Sequence, residues 1–201
     1  MLSLAAPVPA QKKPEKIKLT AQSKDGAVLI RVPVQPFPYA LQFSKDGNSG
    51  FMSRVYMMAI EEGAHGYRYI ARTLSPGRYR LDSIWQQGHW SACLEKGTFE
   101  IVVSPGKIAF LGTLRTERVL GAIQQQAIKS GEAMMSGTNF AVSRDLAELP
   151  IIDGRDESDV VAAREFAAAK MNGSDQLVEL ARVNDAQFST SGVGKAIKIC
   201  G

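Results

Sequence analysis

Two Ser-Pro-Gly triplets, at residues 75–77 and 104–106, impose the strongest constraint on how this chain can fold. In each triplet, proline fixes φ and lacks an N–H, and the glycine after it can adopt a positive φ. Each triplet therefore fits a type II turn. The surrounding residues 72–114 are rich in Ile, Val, Phe, Tyr and Trp, which favour strands. The stretch predicts antiparallel β-structure with tight turns.

Alternation of apolar and polar residues predicts the individual strands. After the first triplet, Tyr79 and Leu81 alternate with two arginines, which is typical of a half-buried strand. Similar or more apolar runs occur at residues 27–34, 39–43, 51–60, 67–71, 99–103 and 108–114. The turn-rich residues 44–50 predict a hairpin between two of these runs. About seven short strands at regular spacing predict an antiparallel β-sandwich over residues 17–116.

The hydrophobic period changes after Leu114 to the three-and-four spacing of amphipathic helices. Thr116 is expected to cap a first helix over residues 117–130, and Asp156 or Ser158 to start a second over residues 158–171. A third, shorter helix is expected over residues 175–183. The chain is therefore expected to be mainly β with two or three C-terminal helices, and residues 117–201 to form a helical extension that packs on the sandwich or on a partner.

A family resemblance rests on turn and core residues of the central stretch. They are Leu74, Pro76, Gly77, Tyr79, Leu81, Cys93, Phe99, Ile101, Pro105, Gly106, Lys107, Leu111 and Gly112. Their pattern resembles that of bacterial periplasmic proteins and lipoproteins of unknown function that contain a small prealbumin-like sandwich. The resemblance implies a fold and a place in the cell envelope, but no particular activity.

The first sixteen residues are interpreted as the remnant of a secretory signal followed by a tether. Residues 1–10 are small and apolar and end in Val8-Pro9-Ala10, which resembles the end of a signal with its cleavage site. The alternative is an apolar leader on a cytosolic protein. No apolar run reaches the roughly 18–20 residues of a membrane-spanning helix, so no transmembrane segment is expected. The leader favours a periplasmic or secreted location.

Two cysteines, Cys93 and Cys200, fit one disulfide in an oxidising compartment. Such a bridge would join the end of the chain to the β-rich stretch. The alternative is one buried thiol and one thiol near the terminus. A disulfide is the preferred interpretation, because a free thiol so near the end would be open to oxidation in a secreted protein.

The charge of the chain argues against nucleic acid as a partner. The net charge is +4, and part of the basic excess lies in residues 11–18. A nucleic-acid-binding surface would need basic residues grouped on one face with exposed aromatic residues among them. No nucleic-acid partner is predicted.

Candidate binding residues lie at positions 85–90, in and after the strand that follows the first Ser-Pro-Gly triplet. Trp85 and Trp90 could line a groove for a sugar or a peptide, since amphipathic aromatic rings stack on such ligands, and His89 lies between them. Burial of both tryptophans between the sheets is the preferred interpretation. His89 and Cys93 lack a recognisable third catalytic group, and only His65 and His89 could supply imidazole ligands to a metal. No catalytic residue, metal or cofactor is predicted.

These features favour a secreted or periplasmic, non-enzymatic binding or structural module of the bacterial cell envelope. Its partner would be a protein or another envelope component. Self-association through helices 117–130 and 158–171 is an open alternative, because apolar helix faces need a surface to cover them. The competing class is a hydrolase of envelope polymers that uses His89 and nearby carboxylates such as Asp82 as acid and base.

Overall fold

A computed structural model describes residues 17–35, 38–47, 54–58, 61–62, 66–86, 90–94, 98–130, 141–143, 149–172 and 174–186. The strands in these residues are β1 (Gly26–Pro33), β2 (Tyr39–Lys45), β3 (Arg54–Met58), β4 (Glu61–Glu62), β5 (Tyr67–Leu74), β6 (Gly77–Gln86), β7 (Trp90–Cys93), β8 (Phe99–Val103), β9 (Ile108–Arg115), β10 (Ala141–Ser143), β11 (Ile151–Asp153), β12 (Val178–Leu180) and β13 (Val183–Asp185). The helices are α1 (Glu117–Ser130) and α2 (Glu157–Lys170). The described part of the chain is thus mainly β, as predicted, and none of its helices is long and apolar enough to cross a membrane.

Sheet A has the strand order β11-β9-β1-β5-β4, with β12 also beside β9. β1 lies between β5, which is antiparallel to it, and β9, which is parallel to it. The far edge of β9 is shared, because β12 pairs with residues 108–110 and β11 with residues 113–115. Two short C-terminal strands therefore complete the edge of this sheet.

Sheet B has the order β10-β7-β6-β2-β3. One edge of β6 pairs with β2, and the other is divided between β8 at residues 77–80 and β7 at residues 83–86. β13 extends the sheet beyond β8. The hairpin predicted from the turn residues 44–50 is confirmed, since β2 and β3 pair antiparallel.

The two Ser-Pro-Gly turns carry the chain from one sheet to the other. The first joins β5 of sheet A to β6 of sheet B, and the second joins β8 of sheet B to β9 of sheet A. Gly77 and Gly106 have φ values of +148° and +62°, a region that favours glycine. At Gly106 a β-carbon would also lie 2.4 Å from the Ala21 carbonyl oxygen. Both positions therefore require glycine, as the turn signals predicted.

The facing sides of the two sheets form one hydrophobic core. Its buried members are Val28, Ile30, Val32, Tyr39, Leu41, Phe43, Met57, Ile70, Leu74, Tyr79, Leu81, Ile84, Ala92, Leu94, Ile101, Val103, Leu111 and Leu114, with Val119, Leu120 and Ile123 from α1. Alternate residues of β1, β2 and β5 point into it, which is the period expected of strands with one face on a core. α1 contacts β6 and β7, so it covers one end of the core.

A second cluster lies on the other face of sheet A, beneath α2. Leu29 and Phe110 from the sheet pack with Ala163 and Ala167 of the helix, and the rings of Tyr69 and Phe166 stack 4.1 Å apart. Because sheet A is covered on both faces, β1 is an almost continuous apolar run rather than an alternating one. The Asp156 capping box starts α2 at the predicted position.

Some sequence expectations are wrong in detail. The third helix predicted over residues 175–183 is a short 3-10 turn, Asp175–Leu177, followed by β12 and the start of β13. Its apolar residues have helical spacing, but β12 pairs with β9 instead. Glu61–Glu62, which lie between two of the predicted apolar runs, pair with β5 as β4. The C-terminal part, predicted to be helical, contributes four strands to the two sheets.

Candidate functional site

A β-bulge in β6 organises the outer face of sheet B. Gln42 of β2 pairs with Ser83 and Phe43 pairs with Leu81, so Asp82 is an extra residue in the β6 strand. Leu81 and Ile84 both point into the core. Asp82 and Ser83 therefore both face outward, and the bulge places two neighbouring polar side chains on the same side of the sheet.

A row of polar residues crosses this face from edge to edge. Strand register aligns one residue from each of five strands, and we call this set the polar row: Arg54, Ser44, Arg80, Glu100 and Asn184. Ser44, Arg80 and Glu100 are buried at 0%, 8% and 2% exposure. Burial of charged groups is costly unless they are paired and hydrogen-bonded. The buried members of the polar row therefore need partners within the protein.

Asp82 connects the strands of the polar row. Its carboxylate accepts a hydrogen bond from the Ser44 hydroxyl and lies 3.6 Å from Nε of Arg80. Arg80 also donates to the Leu94 carbonyl oxygen at 3.0 Å, and the Leu94 amide donates to the Asp82 carbonyl oxygen at 2.7 Å. These contacts fix Arg80 and Asp82 on both sides of the bulge.

Burial raises the pKa of Asp82 above its ordinary value, and its neighbours oppose that shift. The loss of hydration is the largest influence. The Ser44 hydrogen bond and the charges of Arg80 and Arg54 act in the other direction, because they stabilise the carboxylate. Ser44 has no exposure and Asp82 only 4%, so the pair has the character of a buried structural contact rather than of a catalytic dyad open to substrate.

Arg78 brings the charged network to the surface. Its guanidinium binds the Asp46 carboxylate and lies 3.5 Å from Oε1 of Glu100. The Arg78 side chain is 44% exposed, whereas that of Glu100 is 3% exposed. One guanidinium therefore links a partly exposed acid, Asp46, to a buried one, Glu100.

Trp85 lies on the outer face of sheet B, beside the bulge. Its indole N–H donates to the Ser83 hydroxyl at 2.8 Å and to Oε1 of Gln42 at 3.1 Å. The side chain is half-buried, so part of the ring is accessible to solvent. The expectation that Trp85 lies between the sheets is wrong, because its neighbour Ile84 is the residue that points into the core.

The other predicted site residues are described incompletely or not at all. Trp90 is the first residue of β7, and its backbone pairs with Gln86, but its side chain lies outside the described part of the structure, as does that of Cys93. His89 and Cys200 fall outside the described residues altogether. Proximity of His89 to Asp82, and a bridge between the two cysteines, therefore stay predictions.

The sequence pattern did not reveal the polar row, although part of the signal was present. In the sequence, Arg78 and Arg80 alternate with Tyr79 and Leu81, and Glu100 alternates with the apolar residues Phe99 and Ile101. Which residues meet across strands depends on register, and the bulge at Asp82 changes that register halfway along β6. A single sequence holds no direct signal for either.

A groove of about 350 Å³ opens between the sheets on the side of β8 and β12. Its lining includes Val102 and Ser104 from one sheet and Ala109 and Leu180 from the other. None of the described residues that line it is aromatic, so this part of the groove lacks the stacking surface that Trp85 provides. Among the described residues, no group of three or more His, Cys, Asp or Glu side chains is placed to hold a metal.

A second charged cluster fastens α2 to sheet A. Arg31 donates to the Thr113 hydroxyl at 2.6 Å and binds the Asp159 carboxylate in the first turn of α2. The guanidinium groups of Arg31 and Arg115 lie 5.0 and 5.6 Å from the centre of the Tyr67 ring. These contacts join strand, ring and helix within the chain, so the cluster has a structural explanation.

Neither the sequence nor the fold identifies a relative. No protein-family model, no curated protein and no solved structure matches this chain. The prealbumin-like resemblance of residues 72–114 accordingly stays a prediction, and function has to be inferred from the chain's own residues and their geometry.

Proposed function

We propose that this chain is a secreted or periplasmic, non-enzymatic binding module of the bacterial cell envelope. In this proposal its scaffold is an antiparallel β-sandwich with C-terminal helices, and its binding surface is the outer face of sheet B around Trp85. The apolar leader in residues 1–10 supports the location. The geometry of Trp85 supports the surface.

The single observation that carries the proposal is the fixed, partly exposed indole of Trp85. Two hydrogen bonds, to Ser83 and Gln42, hold its N–H end against the sheet. A ring that is already fixed loses little conformational freedom when a ligand stacks on it. Tryptophan is also among the residues that contribute most to binding when they are part of an interface.

The charges near Trp85 indicate the kind of ligand. Around the polar row, Arg54, Arg78 and Arg80 are matched by three acids, Asp46, Asp82 and Glu100. A face with balanced charge does not attract polyanions strongly, which is consistent with the expectation of no nucleic-acid partner. An aromatic ring among hydrogen-bonding groups suits an uncharged or zwitterionic polymer such as the glycan of the cell wall.

The test is co-sedimentation of the full chain with purified bacterial cell-wall sacculi. Wild type is expected to sediment with them. Trp85→Ala is expected to reduce the binding affinity by at least about tenfold, as for an aromatic binding hot spot. The control is Ile128→Ala, which removes an apolar side chain that is 71% exposed on α1. This variant should bind like wild type.

Two results would count against the proposal. Equal binding of wild type and Trp85→Ala would show that the ring is not the contact. Release of soluble wall fragments by wild type, lost in His89→Ala, would favour the hydrolase with His89 and nearby carboxylates. Circular dichroism of each variant separates lost binding from lost fold.

Self-association through the helices has less support than binding through sheet B. α1 buries Val119, Leu120 and Ile123 in the core, and α2 buries Ala163 and Ala167 against sheet A. The apolar faces that motivated an interface through residues 117–130 and 158–171 are thus largely covered within the chain. Sedimentation equilibrium can test whether the chain nevertheless forms dimers.

A further inference from the structure

Three buried polar atoms belong to neighbouring residues near the end of the core that α1 covers. They are the hydroxyl of Tyr39, Oε1 of Gln86 and Oγ1 of Thr116, and none has a hydrogen-bond partner among the described residues. The three residues are 7%, 2% and 0% exposed, respectively. We call them the buried polar triad.

Strand register and the start of α1 bring the triad together. Tyr39 of β2 lies directly opposite Gln86 of β6. Thr116 follows β9, and its carbonyl oxygen accepts the amide of Leu120, so it occupies the cap position of α1. The Thr116 hydroxyl does not cap the helix as predicted. It is a hydrogen-bonding neighbour of the Tyr39 phenol and lowers the pKa of that phenol, but the two oxygens do not form a well-aligned direct hydrogen bond.

The electrostatic surroundings indicate a neutral site. Burial is the largest influence on Tyr39 and raises its pKa to about 12, so the phenol stays uncharged at physiological pH. Arg68 and Glu117 also act on the phenol, but with opposite signs. Because these two charges oppose each other, they favour neither a cationic nor an anionic occupant.

Buried polar atoms without a partner are rare, because each has lost its hydrogen bonds to water. Ordered internal water commonly resolves this situation when two to four polar groups surround it. A water molecule can donate to Gln86 Oε1 and can donate to or accept from either hydroxyl. If the Gln86 amide is turned so that its NH2 group faces the site, water can accept instead, so both amide orientations fit.

We propose that the buried polar triad binds an internal water molecule that bridges β2, β6 and Thr116, the residue that precedes α1. The bridge fixes the start of α1 beside Gln86, the last residue of β6. This proposal is independent of what the face around Trp85 binds.

The test uses substitutions that remove one hydroxyl each and preserve shape, Tyr39→Phe and Thr116→Val. If both hydroxyls bind a shared water, each variant loses a hydrogen bond and its melting temperature falls by about 2–4 °C. The double variant should fall by less than the sum of the two, because the water is lost once. If the hydroxyls are without partners, removing either should leave the melting temperature unchanged or raise it, which would overturn the proposal.

A matched control is Thr98→Val, which removes a buried hydroxyl that donates to the Leu81 carbonyl oxygen at 2.8 Å. It should lower the melting temperature, and its effect should add to that of Tyr39→Phe because the two sites share no partner. Magnetic relaxation dispersion of water nuclei then counts long-lived internal waters. Wild type should hold at least one more than the double variant at positions 39 and 116, and equal counts would overturn the proposal.

Discussion

Gly112 interrupts β9 at a position that no other residue can occupy without strain. β9 has an irregularity opposite β1, because Leu29 pairs with Phe110 and Arg31 pairs with Thr113. The φ of Gly112 is +100°, and a β-carbon there would lie 2.6 Å from Cγ of Arg155 and 2.6 Å from the Asp153 carbonyl oxygen. We expect Gly112→Ala to be strongly destabilising.

The magnitude of the Gly112→Ala effect has two parts. A side chain forced to positive φ costs about 1–3 kcal/mol. Overpacking adds about 1–3 kcal/mol, and here one clash is with backbone, which cannot move aside as a flexible side chain can. The free energy of unfolding should therefore fall by roughly 2–6 kcal/mol, out of the 5–15 kcal/mol of a typical domain.

Urea denaturation followed by circular dichroism measures this change. Gly121→Ala is the matched control, because Gly121 lies within α1 and a β-carbon there would meet nothing within 4 Å. Alanine is the better helix former, so this control should be more stable than wild type by about 0.5–1 kcal/mol. If Gly112→Ala lowers the free energy of unfolding by less than about 1 kcal/mol, the assignment of backbone strain to Gly112 in β9 is refuted.

Two further predictions concern charge and covalent structure. Burial raises the pKa of Asp82 in the folded state. Between the ordinary pKa of about 4 and the raised one, the folded protein therefore binds more protons than the unfolded one. Wild type should lose stability relative to Asp82→Asn as pH rises through the raised pKa. Urea titrations at several pH values measure that difference, and a flat or opposite slope would contradict it. If Cys93 and Cys200 are bridged, Cys200→Ser should lower the melting temperature, and wild type from the envelope fraction should have a mass two hydrogens below that of the reduced chain. An unchanged melting temperature, or two alkylatable thiols in wild type, would contradict the bridge.

Local chemistry was sufficient to predict most elements of the fold. Alternation around Tyr79 and Leu81 gave β6, and the capping residue Asp156 with helical spacing gave α2. Both signals lie within a few residues of the structure they predict. The β2–β3 hairpin was predictable for the same reason, since its turn residues are local.

What the sequence could not predict depends on contacts between distant segments. Leu177, Val178 and Leu180 have the spacing of a short helix, but the edge of β9 offers backbone partners that a three-residue strand can use. Tertiary pairing therefore overrides local propensity there. The Ser-Pro-Gly turns were predictable as turns, but their crossing between sheets was not, because a turn signal does not specify the sheet to which the next strand belongs.

The polar row is better explained by the positioning of Trp85 than by stability alone. Buried ion pairs contribute little net stability, because the cost of removing charges from water offsets their attraction. Arg80 and Glu100 nevertheless lie on a buried face of the sheet. On the same face, the bulge at Asp82 places Ser83 where its hydroxyl accepts a hydrogen bond from the Trp85 indole. An apolar face would fold at lower desolvation cost but would offer no acceptor to the indole N–H. The arrangement is therefore expected where the ring of Trp85 has to be held in one orientation on this face of the sheet.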